Sequence, residues 1–179
     1  MRAIVVEQDA NGAVLAMRDI PAPEPGPAQV KIRVQAASVN RADLAQRAGT
    51  HQPATPGGAP AVIGLDAAGD VVEVGREVTS VQVGDRVMAM VNGGLSVEVV
   101  VDAALAVLIP DAWTYTEGAA AIIGLMTEHN ALRTNGGLQQ GEVGAYPRGR
   151  LFSGAAVRPA GQVPRSRTYY RYNTDGQGN

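Results

Sequence analysis

The chain has 179 residues, of which 45% are hydrophobic and 18% charged, so it is long enough to bury a core and has a globular composition. Its formal net charge of −2 gives no bulk attraction to nucleic acid, and the absence of cysteine excludes disulfides and thiolate metal sites. Glu7 stands where a signal peptide needs an apolar stretch, and no apolar run approaches the ~18 residues of a membrane span. Cytoplasmic location is therefore the default expectation.

Short strands separated by turns are predicted over the first 110 residues. Val30, Ile32 and Val34 alternate with polar residues, which is the period of a half-buried strand. Asn92-Gly93-Gly94 predicts a hairpin turn. Strands this short, with turns at such regular spacing, indicate a β-barrel or a sandwich. Further strands are predicted at residues 2–7, 68–74, 86–91, 95–101 and 105–109.

Two stretches predict helices. The first is short and covers residues 42–47. The second begins at Thr114, where Thr114-Tyr115-Thr116-Glu117 matches a capping box, in which Thr114 and Glu117 satisfy each other's free backbone amides. An Ala-rich run then continues to Arg133, and Asn135-Gly136-Gly137 supplies the stop.

The last 36 residues differ in character from the rest. Residues 1–143 hold 9 Lys and Arg against 16 Asp and Glu, whereas residues 144–179 hold 6 Arg and one acid. Four of the five Tyr and the single Phe also lie after residue 143. Because no strand or helix period is visible there, a basic, disordered tail is predicted.

Four motifs in the first part resemble the zinc-independent quinone oxidoreductases of the medium-chain dehydrogenase/reductase superfamily. The resemblance covers residues 1–143 and implies a mainly β fold with a few helices. This is a GroES-like, partly open β-barrel, followed by one helix that leads towards a Rossmann domain. It divides the chain into a catalytic domain (1–113), a linking helix and stub (114–143) and the tail (144–179). The motifs are Ser38-Val39-Asn40, Gly64-Leu65-Asp66, Val83-Gly84-Asp85-Arg86-Val87 and Gly124-Leu125-Met126-Thr127.

The resemblance implies NADPH-dependent hydride transfer to a small-molecule quinone or α,β-unsaturated carbonyl, without a membrane or nucleic-acid partner. Asn40 matches the family's active-site Asn and is assigned to both catalysis and cofactor contact. Thr127 matches the Thr that faces the nicotinamide. His51 lies in the loop where many members carry a Tyr, and it is the candidate proton donor. A homo-oligomer stays open.

No zinc is implied, because zinc-dependent members of the superfamily place a Cys near Asn40 and a His-Glu pair near Leu65-Asp66. Each site assignment has a structural alternative. Asn40 could be a turn residue that bonds its own backbone, and Thr127 could bond back to the preceding helical turn. His51 could be a solvated loop residue. Asp43 is interpreted as the cap of the short helix, and His129 as a surface or packing residue.

The cofactor domain of the family has no counterpart in the tail as it stands. If the coding sequence of residues 146–156 is read in a frame shifted by one nucleotide, its codons permit Ile-His-Gly-Ala-Ala-Ser. This peptide resembles the glycine-rich start of a Rossmann domain. The chain is therefore interpreted as truncated or frameshifted before that domain, with little turnover by itself. The alternatives are a stand-alone GroES-like binding or assembly module, a split enzyme, a structural pseudoenzyme, and a genuine basic arm.

Overall fold

The computed structural model describes residues 1–10, 12–49 and 61–138, together with the backbone of three short strands farther along the chain. The chain divides into two compact units, Met1–Ile123 and Gly124–Asn179. Among the described helices, none has both the length and the apolar character that a membrane span requires.

Seven strands are described in the first unit. They are β1 (Arg2–Asp9), β2 (Gly12–Asp19), β3 (Gln29–Ala36), β4 (Asp66–Val74), β5 (Arg86–Met90), β6 (Glu98–Asp102) and β7 (Ala106–Leu108). Five of them form an antiparallel sheet in the order β6-β3-β4-β5-β7, which curls into a half-barrel. The other two form a ribbon, β1-β2, that is joined to the barrel by bridges from Ala3 to Ser96 and from Val5 to Val62. The predicted mainly β, partly open barrel is thus confirmed.

The core lies inside the curl of the sheet. Val30 and Ile32 of β3 are completely buried, as the alternating pattern predicts, and Ile32 is in register with Val71 of β4. Lys31 on the opposite face is also largely covered, and its ammonium group lies 2.7 Å from the Glu73 carboxylate. Long charged side chains cover apolar surface in this way while their charged ends stay near water.

The predicted hairpin at residues 92–94 is wrong. The turn itself forms, with Gly93 at φ +91°, but β5 pairs with β4 and β7 whereas β6 pairs with β3. The backbone amides of Gly93 and Gly94 instead donate to the carbonyl of Gly64, at 2.9 and 3.1 Å. A Cβ on Gly94 would lie 1.9 Å from the Asp66 carbonyl oxygen, so this glycine serves close backbone approach rather than a hairpin.

Both predicted helices form. Helix α1 covers Arg41–Arg47, and helix α2 covers Tyr115–His129 with a π-helical continuation over Asn130–Asn135. The capping box is confirmed, because the Thr114 backbone N–H donates to the Glu117 carboxylate at 2.8 Å and Glu117 N–H donates back to the Thr114 hydroxyl at 3.2 Å. The helical run ends before Gly137, which adopts φ +63°.

The second unit contains the end of α2 and three short strands, described by their backbone. These are β8 (Val143–Tyr146), β9 (Ala156–Arg158) and β10 (Thr168–Arg171). They form an antiparallel sheet in the order β10-β8-β9. The strands lie within and at the edge of the segment predicted to be disordered, and the rest of that segment lies outside the described residues.

Candidate functional site

A buried carboxylate, that of Asp66, organises the polar cluster where β3 ends and β4 begins. Asp66 is the first residue of β4 and is 0% exposed. One of its oxygens accepts the backbone N–H of Ser38 at 2.6 Å. The other accepts the Ser38 hydroxyl and, at 2.6 Å, the side-chain amide of Asn40. Three donors compensate the desolvation of this carboxylate, since a buried charge without such partners is very costly.

Asn40 is held in one orientation by this cluster. It is the N-cap of α1, with extended backbone at φ −106° and ψ 156°. Its Nδ2 donates both to Asp66 and to the Ser38 hydroxyl oxygen, the latter at 3.1 Å. The side-chain nitrogen thus faces Asp66, and the amide oxygen faces away from it. That oxygen lies on the side of the first turn of α1, and the residue as a whole is partly exposed.

Asp43 caps α1, as the sequence predicts. Its carboxylate accepts the backbone N–H of Asn40 at 2.6 Å, which completes a capping box with Asn40. The side chain is buried, and its second oxygen has no hydrogen-bond partner. Burial raises the pKa of the Asp43 carboxyl; the hydrogen bond from Asn40 lowers it, and the charge of Asp66 adds a smaller increase. The folded state therefore favours protonation of Asp43 more than the unfolded chain does.

Helix α1 is also tied to the chain that enters β4. The Gln46 side-chain oxygen accepts the backbone N–H of Gly64 at 3.1 Å, and Gln46 is buried. Gly64 has φ +108°, and a Cβ there would lie 2.5 Å from the backbone nitrogen of Leu95. Glycine is therefore required at this position for two reasons, conformation and space. Both ends of the helix are thus fixed relative to Asp66.

An apolar groove of about 400 Å³ lies beside the end of β3, close in sequence to Ser38. This volume falls in the ~300–1,000 Å³ range of small-molecule sites. Polar groups from Arg2, Gln35 and Ser96 accompany the apolar lining. The apolar side chains of the lining include Ile4, Met17, Val34, Leu95 and Val97.

The remaining predicted residues lie apart from this cluster or outside the described residues. Thr127 is partly buried in α2 and belongs to the second unit, whereas Asn40 belongs to the first. His51 lies outside the described residues. His129 is the exposed last residue of α2, in keeping with its prediction as a surface residue. Sequence reasoning assigned no role to Ser38, although the Ser-Val-Asn spacing places its hydroxyl beside the side-chain amide of the predicted Asn40.

Comparison with known proteins identifies the domain. Residues 26–111 match the alcohol dehydrogenase GroES-like domain family. The human synaptic vesicle membrane protein VAT-1 homolog is 37% identical over 128 residues, which cover 71% of this chain and 32% of that protein. A chloroplastic quinone oxidoreductase, QR1 of Triphysaria versicolor, is 32% identical over 151 residues, covering 82% of this chain and 46% of its own length. The chain therefore spans less than half of these relatives.

Solved structures give the same result. A mycobacterial protein complexed with NADPH is 33% identical with a TM-score of 0.64, and the match covers 79% of this chain and 44% of that one. A quinone oxidoreductase of Pseudomonas syringae is 29% identical with a TM-score of 0.65, over the same shares of the two chains. Residues 26–111 are thus an alcohol dehydrogenase GroES-like domain, and the chain belongs, over this N-terminal half, to the quinone oxidoreductases of the medium-chain dehydrogenase/reductase superfamily.

Proposed function

We propose that this chain carries the catalytic half of an NADPH-dependent, zinc-independent quinone or enone oxidoreductase of the cytoplasm. The observation that carries the proposal is the Ser38-Asn40-Asp66 cluster, which holds one amide in a fixed orientation. The lining of an apolar groove includes Ala37, the residue before Ser38. Such a site suits a reaction in which the protein positions two reactants and supplies no nucleophile. The similarity to quinone oxidoreductases and to an NADPH complex supports the same reaction class.

NADPH would supply the hydride in this reaction. Asn40 suits its nicotinamide end, because an amide binds polar groups without titrating, whereas the Thr127 hydroxyl is assigned to the same cofactor by the family resemblance alone. The described residues do not fit its phosphates, because residues 1–143 contain no G-x-G-x-x-G turn between a strand and a helix. We therefore expect the 179-residue chain to bind NADPH weakly and to turn over little by itself.

The zinc-independent part of the proposal rests on the chemistry of the side chains. Zinc sites in proteins use thiolates, imidazoles and carboxylates. The positions that carry Cys and His in zinc-dependent members are occupied here by Asn40 and Leu65, and the chain has no cysteine. Asp66, the remaining oxygen ligand at that place, already accepts three hydrogen bonds from the protein.

His51 stays the proposed proton donor.

Complementation tests the proposal directly. The chain is mixed with the separately produced nucleotide-binding domain of a quinone oxidoreductase, and NADPH oxidation is followed with and without a quinone. We expect quinone-dependent oxidation that neither part shows alone and that Asn40→Ala removes. A mixture that forms a complex without oxidising NADPH would contradict the enzymatic role. Micromolar binding of NADPH to the chain alone, measured by fluorescence, would contradict its dependence on a second part.

One observation favours a second candidate, a stand-alone binding or assembly module. Leu15 and Met17 on β2 are 48% and 58% exposed. Their cross-strand partners Val6 and Ile4 lie on the same face of the ribbon, which is therefore largely apolar. Apolar surface of this kind marks contact sites. A defined oligomer by light scattering, together with no response to any cofactor domain, would favour this candidate over the enzyme.

A further inference from the structure

The outer edge of β2 presents backbone groups that the ribbon itself does not use. Ile4 of β1 turns its backbone away from β2, because its N–H donates to the carbonyl of Leu95 at 2.9 Å. Met17 lies directly opposite Ile4, so the two form a non-hydrogen-bonded pair and Met17 turns its own N–H and carbonyl to the outer edge. Leu15, two residues earlier in the strand, points the same way.

This edge is only partly occupied within the part of the chain that the structure describes. Arg47, the last residue of α1, donates to the carbonyl of Ala13 at 3.3 Å, and Arg18 donates to the carbonyl of Met17 at 3.0 Å. Neither the outward N–H nor the carbonyl of Leu15 is bonded to another described residue. Unpaired edge groups of this kind are the template to which a further strand adds.

The length and composition of β2 do not protect it against such pairing. Native edge strands are usually protected by a short length, by lysine or by proline. Strand β2 has eight residues and contains neither lysine nor proline, whereas β7, at one edge of the main sheet, has three residues. Leu15 and Met17, whose backbone groups face the edge, are also its exposed apolar residues. A partner strand would therefore gain both hydrogen bonds and apolar contact.

A second copy of β2 fits this edge with its charges matched. When two copies pair antiparallel about Ala16, Arg18 comes opposite Val14 of the second copy, and Val14 lies beside Glu7 in its own ribbon. Arg18 already contacts Glu7 within one copy, at 2.6 Å. The two guanidinium groups and the two carboxylates therefore form one cluster of alternating charge across the paired ribbons.

The remaining charge of the strand is matched in the same register. Asp19 comes opposite Ala13 of the second copy, whose carbonyl accepts from Arg47 of that copy, so the carboxylate approaches a guanidinium. Moving the centre of pairing one residue towards the end of β2 would instead set the Asp19 carboxylate opposite the apolar Leu15. Charge therefore favours a second copy as the occupant and also selects the register.

We propose that the chain forms a twofold-symmetric dimer in which β2 pairs with β2 of a second copy, antiparallel and centred on Ala16. The two ribbons then form one four-stranded sheet, and on one face Leu15 of each copy packs against Met17 of the other. The contact closes on itself, because both copies use the same surface. It buries less than about 1,200 Å², so the dimer is reversible. This inference goes beyond the proposed function and does not depend on it.

A single introduced cysteine tests the register, because the natural chain contains none. Ala16 would face its own copy in a non-hydrogen-bonded pair, with the two Cα atoms about 4.5 Å apart and within disulfide range. We expect Ala16→Cys to form a disulfide-linked dimer under mild oxidation. Leu15→Cys is the matched control: its side chain is more exposed, but the two positions are displaced by two residues, about 7 Å along the strands, and lie beyond disulfide reach. Linking at Leu15→Cys as fast as at Ala16→Cys would overturn the proposal.

Sedimentation velocity over a range of concentrations measures the dimer of the natural chain. Leu15→Pro removes an outward N–H that the ribbon does not use, so the fold is kept, which circular dichroism checks. We expect the dissociation constant of the dimer to rise at least about tenfold, because two inter-strand hydrogen bonds are lost together.

Leu108→Pro is the control for that variant. Ile109 donates to the carbonyl of Arg86 in β5, so by alternation the N–H of Leu108 points to the outer edge of β7. Leu108 is also apolar and 55% exposed, and we expect this variant to keep the natural dissociation constant. A natural chain that is monomeric at every concentration, or a dimer that Leu15→Pro leaves unchanged, would overturn the proposal. The complementation assay decides the quinone oxidoreductase function separately.

Discussion

The Tyr115 hydroxyl donates a hydrogen bond to the carboxylate of Asp70, which joins the first turn of α2 to the middle of β4. The guanidinium of Arg86 lies 4.6 Å from the centre of the Tyr115 ring, within cation–π range. Arg86 also donates to the carbonyl of Trp113 at 2.6 Å, and Gln35 donates to the second oxygen of Asp70 at 3.0 Å. Three strands therefore fix the beginning of α2 through a single cluster.

Tyr115→Phe tests this attachment. The change removes the hydroxyl and leaves Asp70 one donor short, but it keeps the ring beside Arg86. We expect a loss of about 1–2 kcal/mol in the free energy of unfolding, measured with urea. The bond to Asp70 raises the pKa of Tyr115, and Arg86 lowers it to a smaller extent. An ultraviolet pH titration that finds every tyrosine titrating at or below the ordinary value would contradict the bond.

Asp43 gives a prediction for the pH dependence of stability. Because the pKa of Asp43 is raised in the folded state, mainly by burial, the native protein binds more protons than the unfolded chain just above the ordinary value of about 3.9. The contribution of Asp43 to the stability of the natural chain should therefore fall as the pH rises through this window. Asp43→Asn cannot titrate, so its stability relative to the natural chain should increase over the same interval. Urea unfolding at a series of pH values from about 3.5 to 7 measures this difference.

The control for that series is Asp85→Asn, which removes a negative charge from an exposed turn. Its stability relative to the natural chain should lack the rise assigned to Asp43. A flat or falling difference for Asp43→Asn would show that burial does not shift this carboxyl.

Replacement of glycine by alanine should have opposite effects at two positions. A Cβ on Gly94 would lie 1.9 Å from the Asp66 carbonyl oxygen, so we expect Gly94→Ala to cost at least about 2 kcal/mol and to disturb the Asn40 amide. Gly124 lies inside α2 with nothing within 4 Å of its Cβ position. Gly124→Ala should therefore stabilise the protein by up to about 1 kcal/mol. Thermal unfolding of both variants compares them, and similar behaviour would contradict the packing around Gly94.

The capping box of α2 gives the last prediction. Thr114→Ala removes the hydroxyl that accepts the Glu117 backbone N–H, so we expect a loss of about 1 kcal/mol. Hydrogen bonds from the backbone and then the hydroxyl of Thr114 lower the pKa of Glu117. The contribution of Glu117 is therefore present at neutral pH and is lost as the pH falls through the lowered pKa. Glu117→Gln should reduce this acid sensitivity in a circular dichroism titration, and unchanged sensitivity would count against the cap.

Structural elements that are determined by residues close together in the sequence are predictable here. The strand around Val30 and Ile32 follows from an alternation of apolar and polar residues, and the start of α2 follows from the spacing of Thr114 and Glu117. The strand β2 was not predicted, because Leu15 and Met17 sit at its exposed positions and blur the alternation that marks a half-buried strand. The turn at residues 92–94 was predicted, but its partner could not be, since pairing across the barrel leaves no local signal.

In the candidate site, too, features set by nearby residues were predictable and features set by distant residues were not. The role of Asp43 as a cap depends on a residue three positions away, and it was predicted correctly. The bonds from Ser38 and Asn40 to Asp66 join residues 28 and 26 positions apart. No spacing rule connects such distant residues, and only the resemblance to a family drew attention to both motifs. The orientation of the Asn40 side chain depends on these bonds, so it could be derived only from the structure.

The contacts of Asp66 and Gln46 also bear on how the protein could diversify. Asp66 accepts a hydrogen bond from Ser38, 28 positions away, and Gln46 accepts one from Gly64, 18 positions away. These two bonds each close a loop in the chain between β3 and β4. The entropy of closing a loop grows only slowly with its length, by about 0.6 kcal/mol for each doubling. Insertions between residues 49 and 61, which leave the bridge from Val5 to Val62 intact, should therefore keep the Asn40 amide in place. Evolution or design could lengthen this connection to alter what the protein accepts, with the bonds of Asp66 inherited unchanged.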